Sequence, residues 1–211
     1  MVPRIEWLGH ASFRIVSDQG TVYIDPWKVK GGPRADLILV THSHHDHLSL
    51  EDIKLLSGPD TWMVGPPDVA SQMKKAYELR PRMFLEFPVK GKVGPIRVEG
   101  YHAYNPKKKF HPISNGWLGI VVELAGFRIY HSGDTDVIPE MGGVKNIDVA
   151  LLPVGGTYTM GPEEAAEAVS MIRPKKAIPM HWGDIVGGRR EAELFKELSS
   201  CPVEILEPVS R

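Results

Sequence analysis

Eighteen prolines and twenty-one glycines are scattered along this chain and cut it into short apolar or alternating runs. Both residue types punctuate secondary structure, so the fold must be assembled from many short elements. They are spread between the runs and not gathered into a linker. Residues 1–211 therefore read as one domain, a size that buries a core without staples.

The runs themselves have strand character. RIEWL, SFRIV and TVYID alternate apolar and polar residues and predict strands in succession. DLILVT is apolar throughout and predicts a buried strand. TWMVG, MFLEF, PIRVEGY, WLGIVVEL, FRIYHS, VALLPV, KAIPM and VEILE predict further strands, with a turn at Ala125-Gly126. Helices are predicted after Ser49, where Leu50, Ile53 and Leu56 share a face, and from Pro66 to about Tyr77. PEEAAEAVSMI and RREAELFKEL are the clearest helices, the first with Pro162 in its opening turn. Antiparallel meanders dominate the first half, and two strand-rich halves suit a pair of packed sheets with helices outside, an α/β sandwich of the α+β kind.

Composition excludes several classes. Apolar residues make up 42% and charged residues 24%, as in ordinary globular proteins. A net charge of −1 does not suit a general nucleic-acid or membrane binder. The triplet Lys107, Lys108 and Lys109 reads as a solvated loop. Cys201 is the single cysteine, which rules out an internal disulfide framework and thiolate zinc sites. With no apolar run of membrane-spanning length, a cytoplasmic protein is expected, acting on a small molecule and without a membrane partner.

Four histidines and an aspartate fall within six positions, His42 to His47, directly after the apolar strand. In extended backbone, residues two apart point the same way, so His42 and His44 can converge on one ion while His45 points away. Asp46 and His47 lie where the chain turns towards the next helix. His102, Asp134 and His181 also fall at the ends of predicted strands, where rigid scaffolds carry binding and catalytic groups. Imidazole plus carboxylate without thiolate suits zinc, manganese, iron or nickel. Five histidines and two aspartates exceed the needs of one tetrahedral ion and suffice for two that share a carboxylate.

The stretch His42-Ser43-His44-His45-Asp46-His47 resembles the HxHxDH signature of the metallo-β-lactamase superfamily. Asp25 in YIDPW, His102 in GYHAYN, Asp134 in HSGDTD and His181 in PMHWGD follow that family's order over essentially the whole chain. GHASF and YHSGDTD are similar to the branch with ascorbate-6-phosphate lactonase and N-acylphosphatidylethanolamine phospholipase D. The resemblance implies a four-layered αββα sandwich and a pair of divalent ions, zinc foremost. It implies that His42, His44 and His102 hold one ion, and Asp46, His47 and His181 the other. Asp134 bridges them, and Asp46, Asp134 and His181 are the catalytic candidates. Asp25 fixes the loop by hydrogen bonds. His111 also precedes Asp134 and is an alternative to His102, or a substrate contact. His131 supports the site from its strand, and His10 reads as a core residue bonded to backbone.

The implied activity is hydrolysis of an ester, lactone or phosphoester of a small molecule, phosphorylated or not, by a hydroxide held between two ions. A nuclease or phosphodiesterase acting on nucleic acid is the alternative within hydrolysis. A non-enzymatic metal-binding regulator is the alternative outside it, and a homo-oligomer is left open. Diiron redox members of the superfamily resemble HxExD instead and carry a flavin domain for which this chain has no room.

Overall fold

The computed structural model describes residues 2–209. Two six-stranded sheets face each other. The first runs in chain order through β1 (Arg4–Gly9), β2 (Ser12–Ser17), β3 (Gly20–Ile24), β4 (Leu37–Leu39), β5 (Trp62–Gly65) and β6 (Ala76–Glu78). The second contains β7 (Phe84–Pro88), β8 (Pro95–His102), β9 (Leu118–Leu124), β10 (Phe127–His131), β11 (Val149–Pro153) and β12 (Lys176–Met180). Each sheet starts as an antiparallel meander and ends in parallel strands, β3 to β6 in one and β10 to β12 in the other. The expectation of antiparallel meanders therefore covers only the opening half of each sheet. Parallel neighbours need crossover connections, and the helices supply several of them.

Strand alternation sends one set of side chains between the sheets. Phe13, Ile15, Ile24, Leu37 and Leu39 meet Val98, Ile120, Val122, Ile129 and Leu151 in the main core. The outer face of the first sheet carries Tyr23, Ile38 and Val40. Ile53 and Leu56 of α1 (Leu50–Leu56) and Val69 of α2 (Pro67–Ala70) cover it. Ala165, Ala168, Val169 and Ile172 of α3 (Pro162–Ile172) and Phe195 of α4 (Arg189–Leu198) join the main cluster from the side of the second sheet. The result is the four-layered αββα sandwich. Where no helix covers β7 to β10, the outer face is an ionic ladder. Arg97 bonds Glu86 at 2.7 Å and Glu123 at 3.3 Å, and Arg128 bonds Glu99 at 2.7 Å.

Two predicted elements differ. The helix expected up to Tyr77 stops at Ala70, and Ala76–Glu78 forms β6 instead. Lys75, at φ 57°, breaks the helical path. VEILE makes a single bridge, Val203 to Ala177, and not a strand. The tail then runs to Val209, whose N–H donates to Trp7 O at 2.9 Å, so it spans from β12 to β1. No described helix is long and apolar enough to cross a membrane.

Candidate metal centre

The site lies where β4 gives way to an irregular turn. Val40 N–H still donates to Val64 O at 2.9 Å, then the chain leaves the sheet. Thr41 O accepts Leu118 N–H of the opposite sheet at 3.1 Å, which aims the following turn across the rim of the sandwich. His47 and Leu48 N–H both donate to His44 O, at 3.0 and 2.8 Å, and wrap residues 44–48 into a tight loop. That loop buries His42 and His47 and leaves His45 exposed, as expected, although a turn and not strand alternation points it outward.

Asp25 fixes this loop. Fully buried at the end of β3, it accepts Thr41 N–H at 2.7 Å on Oδ1. Its Oδ2 accepts Thr41 Oγ1–H at 2.6 Å and His47 Nδ1–H at 2.7 Å. The last bond sets the His47 tautomer and turns Nε2 towards the cavity.

Asp134 occupies the middle of the histidines. Its Oδ2 is 3.0 Å from His181 Nε2, 3.3 Å from His111 Nε2 and 3.9 Å from His42 Nε2, and its Oδ1 is 3.4 Å from His47 Nε2. His47 Nε2, His111 Nε2, His181 Nε2 and Asp134 Oδ1 are buried and have no hydrogen-bond partner. Buried polar atoms are normally satisfied. Four that converge without pairing fit a cation among them. Among the described residues three sets of donor atoms each lie within 4.8 Å of one another: His42, His44 and His111; His10, Asp46, His47 and His181; and Asp25, His42 and His47. The donor types, imidazole and carboxylate, fit a divalent transition metal.

The electrostatics point the same way. Burial works to keep Asp134 protonated, but His181 and His47 beside it outweigh that and hold its carboxyl well below the usual range. Burial also opposes charge on His47, yet Asp134 and Asp25 draw a proton onto it and raise it well above an ordinary histidine. Burial and the neighbouring His47 push His42 well down, and burial with His111 lowers His44. His42 and His44 are thus held neutral beside a fixed anionic carboxylate, as metal ligation needs, while His47 has to release its proton for an ion to bind.

The later histidine beside Asp134 is His111, and not His102 as the sequence favoured. His102 ends β8 half-buried, with its ring edge-on to Tyr104 at 6.5 Å and outside all three donor sets. The chain continues beyond it, loops out, and returns through Asn105. Asn105 N–H donates to His111 O at 2.7 Å, and Asn105 Oδ1 accepts His111 N–H at 3.1 Å and Nδ1–H at 2.7 Å. Asn105 thereby fixes the His111 ring with Nε2 inward. This closure joins residues six apart in an irregular loop and leaves no periodic mark in the sequence.

His131 lies behind the site. Its Nε2–H donates to Ala11 O at 2.9 Å and its Nδ1 accepts Gly133 N–H at 3.1 Å, pinning the loop that carries Asp134. His10 has a closer role than a core residue bonded to backbone. Its Nε2 is 3.0 Å from Asp46 Oδ2, its ring packs 4.0 Å from that of His181, and its carbonyl accepts His181 N–H at 2.9 Å. Asp46 is held well below the ordinary carboxyl range: burial alone would raise it, and the bond from His10 with the nearby His47 reverses this. Position 10 lies far from the metal signature and carries no local motif for such a contact.

Comparisons with known proteins agree with this geometry. A family model described as a β-lactamase superfamily domain matches residues 4–181. A UPF0173 metal-dependent hydrolase of Thermococcus onnurineus is 34% identical over 96% of this chain and 95% of its own length. One from Methanopyrus kandleri is 35% identical over 97% of each. A crystal structure from Parabacteroides distasonis superposes with a TM-score of 0.85 at 29% identity, covering 99% of this chain and 94% of the other. A metallo hydrolase from Ignicoccus hospitalis shares the fold, with a TM-score of 0.78 at 22% identity over 99% and 96% of the two chains. From β1 to the histidine that follows β12, this chain belongs to the β-lactamase superfamily, among the proteins grouped as UPF0173 metal-dependent hydrolases.

Proposed function

We propose that this chain, acting as one domain in the cytoplasm, hydrolyses an ester, lactone or phosphoester of a small molecule with a pair of divalent ions. Zinc is foremost, with manganese, iron or nickel as alternatives. The observation that carries this reading is the set of unpartnered buried atoms around Asp134. His42, His44 and His111 would hold one ion, Asp46, His47 and His181 the other, with Asp134 shared between them. Bound ions of this kind supply Lewis acidity at the scissile bond and bring an attacking water towards neutral pKa.

The chain's own groups prepare the site. Asp25 and Asn105 accept the Nδ1–H of His47 and His111, so that each presents Nε2 inward. His10 orients Asp46. Asp134, kept anionic, and Asp46 stand beside the reacting centre with His181. Net charge of −1 favours a small substrate over nucleic acid, whose binding depends on clustered cations.

Elemental analysis of protein purified without chelator tests the reading. The expected content is two equivalents of transition metal per chain, falling to one or none in Asp134→Ala. His111→Ala should lose an equivalent and His102→Ala should keep both. Unchanged metal in Asp134→Ala would remove the bridge, and loss in His102→Ala alone would reverse the choice of histidine.

A further inference from the structure

Five segments close a ring around the unpartnered donors: residues 25–29, 42–48, 105–117, 154–160 and 181–187. Contacts link each to the next. Trp27 lies 6.2 Å from the His45 ring, and Lys28 Nζ reaches Asp184 Oδ1 at 3.4 Å. Gly155 packs so closely on the last segment that a Cβ there would stand 2.6 Å from His181 O and 2.7 Å from Val186 Cγ2. The Tyr158 and Phe110 rings meet edge to face at 4.7 Å, and Trp117 lies 4.7 Å from His44.

Large apolar side chains stand among the polar ones where this ring meets solvent. Phe110 is 43% exposed, Ile113 55% and Ile185 42%, with Trp27 and Tyr158 half-buried beside them. Scattered exposed apolar residues need no explanation, but a set encircling a polar reaction centre marks a ligand surface. The means of gripping a phosphate are weak here. None of the five segments carries an arginine. Lys28 stacks 3.9 Å over Trp27 and faces Asp184. Lys108 donates to Asp136 Oδ1 and Thr159 O, both at 2.6 Å. Gly156 N–H, the natural anion donor of the Gly-Gly turn, is taken by Met160 O at 3.0 Å. Lys107 and Lys109 are exposed on the loop surface.

We infer that this mouth receives the apolar acyl portion of an uncharged ester or lactone, an inference that rests on the hydrolytic reading above. Water adds to the acyl carbon and the bond from that carbon to the leaving oxygen breaks. The alcohol departs with one of the water's protons, and no oxidant or co-reactant is needed. Phe110, Ile113 and Ile185 hold the acyl chain while the donor cluster faces the carbonyl.

The test uses the metal-loaded full chain with p-nitrophenyl acetate, butyrate and hexanoate, and bis(p-nitrophenyl) phosphate. We expect kcat/KM to rise about twofold or more per added methylene, and that slope to flatten in the double variant Phe110→Ala/Ile113→Ala. In parallel, binding of 1-butanol, 1-hexanol and 1-octanol is followed by tryptophan fluorescence on metal-free protein. Affinity should rise with length and lose that dependence in the same variant. Ester turnover with no length dependence, or turnover of the phosphodiester in preference to all acyl esters, overturns the acyl inference and leaves the hydrolase standing. No turnover of any substrate by protein shown to hold metal overturns the hydrolytic reading instead. The alkanol series then decides the mouth by itself, and a flat series overturns that too.

Discussion

His10, Asp25 and His181 share a backbone conformation that side-chain-bearing residues rarely adopt, with φ of 52°, 47° and 57°. Such strain persists where the surroundings over-determine it, and it gathers at functional sites. All three sit at strand ends, where the chain must turn sharply to aim a side chain into the donor cluster. His10 is the instructive case. Read from the sequence it is a core histidine, and its burial agrees, but the tertiary fold lays it against Asp46 and His181. His10→Ala would leave a buried Asp46 oxygen without its N–H donor. We expect metal affinity to fall by about 10–100-fold, the usual cost of removing a supporting bond, measured by competition with a chelator. His10→Gln, whose amide can keep a donor, should recover much of the loss. Equal loss in both variants would mean that His10 acts by packing alone.

Among elements, legibility followed how local the determining forces are. The turn between β9 and β10 was visible as Ala125-Gly126, and both residues have positive φ, 52° and 78°, as a tight hairpin demands. Alanine is the wrong first residue for that geometry. Ala125→Asn should therefore raise stability by about 1 kcal/mol, read as a higher denaturant midpoint with unchanged slope. The segment after Pro66 shows the opposite. Val69 and Met73, four apart, do share a buried face, so the helical periodicity is real as far as it goes. The edge of β5 then offers unpaired backbone groups, and Ala76–Glu78 satisfies them in parallel register from Met63↔Ala76 to Gly65↔Glu78. Backbone pairing at a sheet edge outweighs a weak local preference, and nothing in the local sequence announces the edge. VEILE fails as a strand for a related reason: it meets β12 at Val203 only, and then crosses towards β1.

At the scale of the molecule, the site exists only when both sheets are in place. Asp25 and residues 42–47 come from the first sheet, and His111, Asp134 and His181 from the second. Folding buries several imidazoles together, which gives metal-free protein a pH signature. Burial chiefly lowers His10, His42, His44 and His131 below the ordinary histidine value. The unfolded chain binds more protons at these positions below about pH 6.5, so acidification favours unfolding there. His47, raised by Asp134 and Asp25, adds stability that is complete below that pH and lost as pH rises through its elevated value. Between about pH 6.5 and 5 the four lowered histidines decide the slope. The denaturant midpoint of chelator-treated protein should fall across that window, and a flat or rising midpoint would contradict the burial assigned to them. The sequence by itself determined the class of fold and the chemistry of the donors. Short runs between prolines and glycines favour strands, and imidazoles two apart just after a strand can converge. Which later histidine meets Asp134, and what His10 and Asn105 do, was decided by the tertiary structure alone. The contacts of His111 with Asp134 and of His10 with Asp46 join residues distant in sequence, that of Asn105 closes an irregular loop, and a pattern read along one chain carries no record of either.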